Sequence, residues 1–270
     1  MSALISRVRR FHELHASGCF VMPNPWDVGS ARALASLGFQ ALATTSAGFA
    51  WSTGRRDQSV SVDDALAHLT AMSAAVELPF NADFEGGFAI EPDGVAANVA
   101  RAAATGIAGL SIEDSTGDPH NPLFEMSLSV DRIRAARHAI DVSGTGVLLT
   151  GRSEGFIAGH PDLAETIDRL VAYADAGADC LYAPGIKAGD DIAAIVKAVA
   201  PKPVNVLVSA PVFTVAQLAD LGVRRISVGG ALARTAWTGF LEAAQEIATA
   251  GTFANLGTAR PGADLNELFR

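Results

Sequence analysis

Residues 173–182 read YADAGADCLY, which joins the end of an alanine-rich helix to a short apolar run through one glycine. Glycine tolerates the left-handed backbone conformation that stops a helix, so the chain can turn at Gly177 and enter a strand. The apolar run lacks the alternation of a half-exposed strand and is typical of a parallel strand buried on both faces. The same pattern recurs at residues 33–43, 102–112 and 218–228. This repeated helix–glycine–strand unit predicts a parallel α/β fold.

Working outward from these units predicts eight strands with amphipathic helices between them. The predicted strands are Cys19–Met22, Ala41–Thr44, Phe80–Asp83, Gly109–Glu113, Val147–Gly151, Cys180–Ala183, Val204–Leu207 and Ile226–Val228. The clearest helices are Val62–Val76, Leu163–Ala176 and Ile192–Val199. Eight alternating units over about 250 residues are what a (β/α)8 TIM-type barrel requires. A doubly wound open sheet is the alternative, but the first strand is followed by Pro23–Asp27 (PNPWD) instead of a glycine-rich phosphate loop.

The composition indicates a globular protein without a nucleic-acid or membrane role. Of the 270 residues, 49% are hydrophobic and 18% are charged, which is enough for a large core and too apolar for disorder. No linker divides the chain, so we predict a single catalytic domain over residues 1–270 with a C-terminal tail at 251–270. The net charge of −9 argues against nucleic-acid binding. No stretch is long enough to span a membrane without a charge or a Gly/Pro break, so we expect a soluble cytoplasmic protein.

Acidic residues follow two neighbouring predicted strands at their carboxyl ends, where barrel enzymes carry their chemistry. Asp83 and Glu85 lie two positions apart, so both side chains can point inward, and Glu113 ends the next strand. Three carboxylates at one mouth would repel each other unless a cation neutralised them. Oxygen ligands without a histidine or cysteine cluster indicate Mg2+, with Mn2+ as a substitute. The alternative interpretation is that each acid caps the helix that follows it.

Arg152 and Asn205 are candidates for substrate binding at the same predicted mouth. Arg152 follows the fifth strand, and its planar guanidinium suits a substrate carboxylate or phosphonate. The alternative role for Arg152 is an ion pair with Glu154 or Glu113. Asn205 is a polar residue within the otherwise apolar seventh strand. Both residues are therefore predicted to contact a small anionic substrate.

The segment Thr45-Ser46-Ala47 and Asp57 complete the candidates that the residues themselves suggest. The three residues lie in a loop that ends at Gly48, and their backbone N–H groups could bind a carboxylate. An ordinary tight turn is an equally good interpretation of this spacing. Asp57 follows Gly54-Arg-Arg56 in a loop and is a weak candidate by itself.

Six short segments form a specific set by their order, although each alone is weak. They are Thr44–Gly48, Arg56–Asp57, Asp83–Phe88, Gly109–Asp114, Arg152–Gly159 and Tyr173–Asp179. With these segments the sequence resembles the isocitrate lyase/phosphoenolpyruvate mutase superfamily over nearly its whole length. The resemblance implies a (β/α)8 barrel, often with the last helix exchanged between the subunits of a homodimer or homotetramer.

The resemblance also implies a role for each candidate residue. It implies a Mg2+ ion held largely through water by the three strand-end acids, with Glu85 one methylene longer than the family's aspartate. Asp57 matches an acid near that metal. The segment Thr45-Ser46-Ala47 resembles the one whose backbone binds the substrate carboxylate, and Arg152 matches the arginine that binds the substrate's other end. Such a site would stabilise the enolate of pyruvate or a related 2-oxo acid.

The loop after the fourth strand departs from both well-known branches of the superfamily. The lyases carry a Lys-Lys-Cys-Gly-His loop there, whereas residues 115–125 (STGDPHNPLFE) contain neither lysine nor cysteine. The phosphonate branch uses a lysine and an asparagine on a longer loop and a histidine after strand six, where Ala183 stands here. His120 and Asn121 are the polar residues left on the loop as candidates for a catalytic role, and a solvated loop residue is the alternative interpretation of His120.

These observations predict a Mg2+-dependent lyase-type enzyme that cleaves a C–C bond of a small 2-oxo or 2-hydroxy carboxylate through a pyruvate-like enolate. A phosphonomutase or phosphonopyruvate hydrolase, acting on a P–C bond, is the alternative within enzymes. A barrel that has lost catalysis and only binds a small acid is an alternative from another class. The missing lysine and cysteine favour this last reading, whereas the acids, Asp57 and Arg152 argue against it.

Overall fold

The computed structural model describes residues 2–269 and shows strands and helices that alternate along the chain. The strands are β1 (Phe20–Met22), β2 (Leu42–Ala43), β3 (Phe80–Asp83), β4 (Gly109–Glu113), β5 (Leu148–Arg152), β6 (Cys180–Tyr182), β7 (Val204–Leu207) and β8 (Arg225–Ser227). The helices are α1 (Ser2–Ala16), α2 (Val28–Ser36), α3 (Ser46–Ser52), α4 (Val62–Ala75), α5 (Pro92–Ala103), α6 (Met126–Ser143), α7 (Leu163–Asp175), α8 (Gly189–Ala198), α9 (Val215–Asp220), α10 (Ala231–Ala250) and α11 (Gly262–Glu267). No end of a predicted strand differs from the observed end by more than one residue.

The strands form one parallel sheet that is nearly closed on itself. Their order is β1-β8-β7-β6-β5-β4-β3-β2. Because β2 is only two residues long, the seam between β1 and β2 is joined by two hydrogen bonds beyond the regular pairing. The Ala43 N–H donates to the carbonyl of Pro23 at 3.1 Å, and the Asn24 Nδ2 donates to the carbonyl of Thr44 at 2.8 Å. This architecture confirms the predicted (β/α)8 barrel.

The glycine of each repeated unit adopts the backbone conformation that the pattern requires. The φ angles are +84° at Gly38, +92° at Gly106, +104° at Gly177 and +86° at Gly222. A side chain would strain the backbone at each of these angles, so the glycines end the helices and direct the chain into the next strand. The four units that predicted the fold therefore make the turns expected of them.

Helix α1, which the sequence analysis did not predict, closes the amino-terminal end of the barrel. Phe11 and His15 on α1 are buried, and their rings meet edge to face with centroids 4.6 Å apart. The ring of Phe20 on β1 lies 5.1 Å from that of His15. A Cβ atom on Gly109 would lie 2.6 Å from Phe11, so only glycine lets β4 pass over this ring. The barrel is thus sealed at one end and open at the other.

Beyond β8 the chain leaves the barrel as α10, whose surface is largely exposed. The buried residue of this helix is Ala233, whereas Phe240 and Leu241 are more than half exposed. The predicted tail contains a 3-10 helix (Ala254–Thr258) and α11 on the surface. Within residues 2–269, no helix combines the length and the apolar character needed to cross a bilayer.

Candidate active site

A cavity of about 160 Å³ lies inside the barrel toward the carboxyl ends of the strands. Barrel interiors are usually filled by branched apolar side chains, but this one is lined by polar groups. The predicted site residues on its wall are Thr45, Ser46, Ala47, Asp57, Asp83, Arg152 and Asn205. Glu85 lines a smaller adjoining cavity together with Asp83. The structure therefore brings most of the predicted residues to one place.

Arg152 lies at the centre of a cluster of carboxylates. Its Nη1 is 3.2 Å from Asp83 Oδ1 and 3.2 Å from Glu113 Oε2, and its Nε donates to Glu154. The guanidinium also lies 5.1 Å above the ring of Tyr182. Burial alone would lower the pKa of Arg152, but the neighbouring negative charges of Glu154 and Glu113 raise it. The ion pairs considered for Arg152 are thus formed, in addition to its place on the cavity wall.

Asp83 is fixed in position by the start of helix α3. The backbone N–H and the hydroxyl of Ser46 both donate to Asp83 Oδ2 at 2.9 Å. Thr45 caps the helix, because its hydroxyl accepts from the Gly48 N–H at 3.3 Å. The expectation of a loop at Thr45-Ser46-Ala47 was therefore wrong, since the Thr45 cap and the close approach allowed by Gly48 favour a helical turn. Within residues 2–269 the Ala47 N–H has no acceptor, and it remains available at the cavity wall.

The site carries more negative than positive charge. Five acidic side chains lie around the guanidinium of Arg152: Asp57, Asp83, Glu85, Glu113 and Glu154. Burial raises the pKa of Glu113 well above its usual range. Burial, together with the charges of Asp83 and Asp57, raises the pKa of Glu85 to about 7. Ionising all these groups therefore calls for additional positive charge.

The donor set fits a hard divalent cation bound largely through water. Within the described part of the chain, no three acidic, histidine or cysteine side chains are close enough together to hold a metal ion directly. Mg2+ commonly keeps several waters and uses only one or two carboxylates. Among residues 2–269, no hydrogen bond or ion pair occupies the Glu85 carboxylate. The residues present therefore suit an ion such as Mg2+, which Asp83, Glu85 and Glu113 could hold.

The candidates on the loop after β4 lie apart from the cavity. His120 and Asn121 are exposed at the tip of this loop, which is closed by a bridge between Ser115 and Leu123. The His120 N–H donates to Asp118 at 2.9 Å, a contact that shapes the tip itself. Neither His120 nor Asn121 lines the cavity in this conformation. Their predicted catalytic roles remain predictions.

Asp114 positions Glu154, whose carboxylate accepts from Arg152. One of its oxygens accepts from the Glu154 N–H at 2.8 Å. The other accepts from the Tyr173 hydroxyl at 2.6 Å and from Arg169 at 3.3 Å. All these groups are buried, so the network holds Glu154, and through it Arg152, in one geometry.

Asn24 and Arg225 are among the cavity residues that escaped the sequence analysis. Asn24 accepts from the N–H groups of Val228 and Gly229 at 2.9 Å each and thereby ties β1 to the loop after β8. The motif Pro23–Pro25 (PNP) was the signal for it. Arg225 lies in the barrel interior, whereas its neighbour Arg224 lies outside. Strand alternation applied to this pair would have placed one arginine inside.

The family model described as phosphoenolpyruvate phosphomutase matches residues 11–248. The chain belongs to this family. A protein of Mycobacterium tuberculosis without an assigned function is 36% identical to it over 221 residues, which cover 81% of each chain. The solved structure of a candidate lyase or mutase from Burkholderia cenocepacia is 47% identical, with a TM-score of 0.96, and the match covers 99% of this chain and 97% of the other.

The names of two further similar structures imply reactions at different bonds, a P–C bond for one and a C–C bond for the other. A candidate phosphonomutase from Burkholderia cenocepacia is 32% identical, with a TM-score of 0.81, over 92% of this chain and 100% of that one. The 2,3-dimethylmalate lyase is 26% identical, with a TM-score of 0.85, over 99% of this chain and 94% of that one. The superfamily contains lyases and mutases that act on pyruvate-like substrates, and this chain is an enzyme of that superfamily.

Proposed function

We propose that the protein is a Mg2+-dependent lyase that cleaves a C–C bond of a small 2-oxo or 2-hydroxy carboxylate through a pyruvate-like enolate. The observation that carries this proposal is the surplus of carboxylates around Arg152 in a cavity of about 160 Å³, a space suited to a small acid. Members of the superfamily generally depend on Mg2+, which supports the choice of cation. Mn2+ would serve as a substitute because it accepts the same oxygen donors.

The chain's own residues bind and orient the substrate. Ala47 lines the cavity, and its backbone N–H would bind a substrate carboxylate oxygen. Asp83, Glu85 and Glu113 would hold the cation, and the two bonds from Ser46 keep Asp83 from turning away. When bound, Mg2+ would supply the positive charge that stabilises the developing enolate oxygen. Arg152, which lies beside Asp83 and Glu113, would stabilise negative charge that develops on the substrate during cleavage.

A phosphonomutase or phosphonopyruvate hydrolase is the second candidate. The match to the phosphoenolpyruvate phosphomutase model and the likeness to a candidate phosphonomutase favour it. Against it, residues 115–125 contain no lysine, and Ala183 stands near the position of the branch's histidine. We therefore rank P–C chemistry below C–C cleavage, and we rank a barrel that only binds an acid below both.

Turnover assays separate these candidates. Purified protein is incubated with oxaloacetate, 2,3-dimethylmalate or phosphonopyruvate, with Mg2+ or with EDTA, and pyruvate, oxalate and phosphate are followed. The proposal expects a C–C cleavage product that appears with Mg2+ and not with EDTA. Phosphate from phosphonopyruvate would favour the P–C alternative. Oxalate binding without turnover of any of these acids would support a binding-only barrel and contradict the proposal.

We also propose a homodimer or homotetramer. The exposed apolar side chains of α10, including Trp237, Phe240 and Leu241, suit a contact between subunits. Exchange of this helix between subunits and a cytoplasmic location remain predictions. Light scattering at several protein concentrations would measure the assembly, and a monomer at all of them would contradict it.

A further inference from the structure

Arg225 is a buried cation that lines the cavity without an anionic partner. Only 1% of its surface is exposed. Its Nε donates to Asn205 Oδ1 at 2.9 Å and its Nη2 to Thr150 Oγ1 at 3.1 Å, while Nη1 lies 3.2 Å from His15 Nε2. All three partners are neutral acceptors. Within residues 2–269 no carboxylate forms an ion pair with Arg225.

His15 is held in the form that accepts from Arg225. Its Nδ1 lies 2.7 Å from the carbonyl of Phe11, so the ring proton sits on Nδ1 and leaves Nε2 as an acceptor. Burial, together with the charge of Arg225, lowers the pKa of His15 to about 3. Helix α1 thus positions the guanidinium without neutralising it.

Arg225 forms the floor of the cavity. It precedes Ser227 by two positions on β8, so both side chains point inward and Arg225 lies nearer the sealed end. A guanidinium has five N–H groups, and three of them are used by the neutral acceptors. One N–H therefore remains on each terminal nitrogen. Such a pair matches the two oxygens of a carboxylate.

A buried charge is strongly unfavourable unless an opposite charge compensates it. Arg152 satisfies this requirement with three carboxylates of the protein, whereas Arg225 has none. We propose that Arg225 binds a carboxylate of the ligand at the cavity floor, so that the ligand is a small dicarboxylate. This inference rests on the proposed function, because it assigns the second anionic group of that same 2-oxo or 2-hydroxy acid.

Matched pairs of inert acids test the proposal by calorimetry at fixed Mg2+. Each pair differs only in a carboxylate or a methyl group at one end: malonate and propionate, succinate and butyrate, 2-oxoglutarate and 2-oxovalerate. In the pair whose length fits the cavity best, the wild type is expected to bind the diacid at least about tenfold more tightly than the monoacid. This ratio corresponds to the free energy of one charge-assisted hydrogen-bonded pair. Arg225→Met should bind both members of a pair equally. Phosphonoacetate serves as a further arm, and tighter binding of it than of malonate would overturn the choice of carboxylate.

Arg224→Met is the control, because Arg224 is the neighbouring residue and donates outside the barrel to the carbonyl of Gly18 at 3.1 Å. It should keep the diacid preference of the wild type. Should Arg225→Met fail to fold, Arg225→Lys keeps the charge but loses the paired donors, and its preference should fall several-fold. A wild type that binds neither class or does not distinguish them would overturn the proposal, as would an undiminished preference in a folded Arg225 variant.

These outcomes are independent of catalysis. A wild type that shows no diacid preference but retains Mg2+-dependent cleavage would refute only the role of Arg225. A diacid preference without cleavage of any 2-oxo or 2-hydroxy acid would refute only the proposed function. The two claims can therefore fail separately.

Discussion

Arg152 and Arg225 point into one cavity, but the first lies among carboxylates near the open end and the second among neutral acceptors at the sealed end. Around Arg152 the protein places three acidic side chains within ion-pair distance. Around Arg225 it places an amide, a hydroxyl and a neutral imidazole. One region has surplus negative charge and the other has an uncompensated positive charge.

This difference indicates what each region lacks. The region around Arg152, near the open end, needs a further cation before all its carboxylates can ionise. The floor around Arg225 needs an anion. A small acid bound together with a divalent cation would satisfy both. The cavity is therefore polarised along the barrel axis, and changing the charge at either end should have distinct consequences.

Replacing Arg152 should have the largest effect, because its guanidinium is the positive charge among the carboxylates near the open end. Arg152→Met leaves Asp83, Glu113 and Glu154 unpaired and should lower the free energy of unfolding by about 3–5 kcal/mol at neutral pH. The deficit should shrink in acid, because protonated carboxylates no longer need the guanidinium. Urea denaturation at two pH values measures both effects. Arg134→Met, which removes an exposed ion pair with Asp131, should cost about 0–1 kcal/mol. An equal cost for the two variants would contradict the central role of Arg152.

Replacing the best-fixed carboxylate should mainly affect the reaction. Asp83→Asn keeps the shape but weakens the hold on the cation, and Mg2+-dependent turnover should fall on the order of 100-fold. Steady-state assays across a range of Mg2+ concentrations would measure this loss. Asp220→Asn, at the exposed end of α9, is the matched control and should leave turnover unchanged. Full turnover by Asp83→Asn would show that Asp83 does not hold the cation.

The metal-free protein should lose stability as the pH rises, because the pKa of Glu85 is raised from 4.5 to about 7. Below pH 4.5 the group is protonated in both the folded and unfolded states. Between these values only the unfolded state ionises freely, so folding becomes less favourable as the pH rises toward 7. Glu85→Gln should therefore be more stable than the wild type above pH 7, on the order of 1–2 kcal/mol after allowing for solvent screening.

Urea denaturation in EDTA from pH 4 to pH 8 checks this prediction. The gap between Glu85→Gln and the wild type should close below pH 4.5 and should also narrow when Mg2+ is added. Glu242→Gln on the exposed face of α10 is the control. A gap that stays constant with pH would mean that Glu85 is not perturbed by its burial.

The smallest expected effect comes from the hydroxyl that helps to fix Asp83. Ser46→Ala removes one of two hydrogen bonds to Asp83 Oδ2 and keeps the backbone bond. The Mg2+ concentration needed for half-maximal turnover should rise roughly three- to tenfold. Ser52→Ala at the exposed end of α3 should not change it. No change in Ser46→Ala would mean that the backbone bond alone fixes Asp83.

The strands and the candidate acids could be predicted because their signals are local. The glycines at 38, 106, 177 and 222 mark turns by their own conformational freedom, and strand ends place Asp83 and Glu113 near each other in any parallel barrel. The helical turn at Thr45, the sealing of the barrel by α1 and the partners of Arg225 depend on residues distant in sequence. His15 and Arg225 are separated by 210 positions. No local pattern indicates such a contact, although alternation on β8 could have placed Arg225 inside.

The most direct test of a cavity that needs both a cation and a small acid is calorimetric titration of oxalate into metal-free protein, with and without Mg2+. Oxalate resembles a planar enolate and cannot be cleaved by the proposed reaction. We expect binding with Mg2+ that is at least about tenfold weaker in EDTA, and loss of this difference in Asp83→Asn. Oxalate that binds equally well with Mg2+ and with EDTA, or that does not bind at all, would contradict the account.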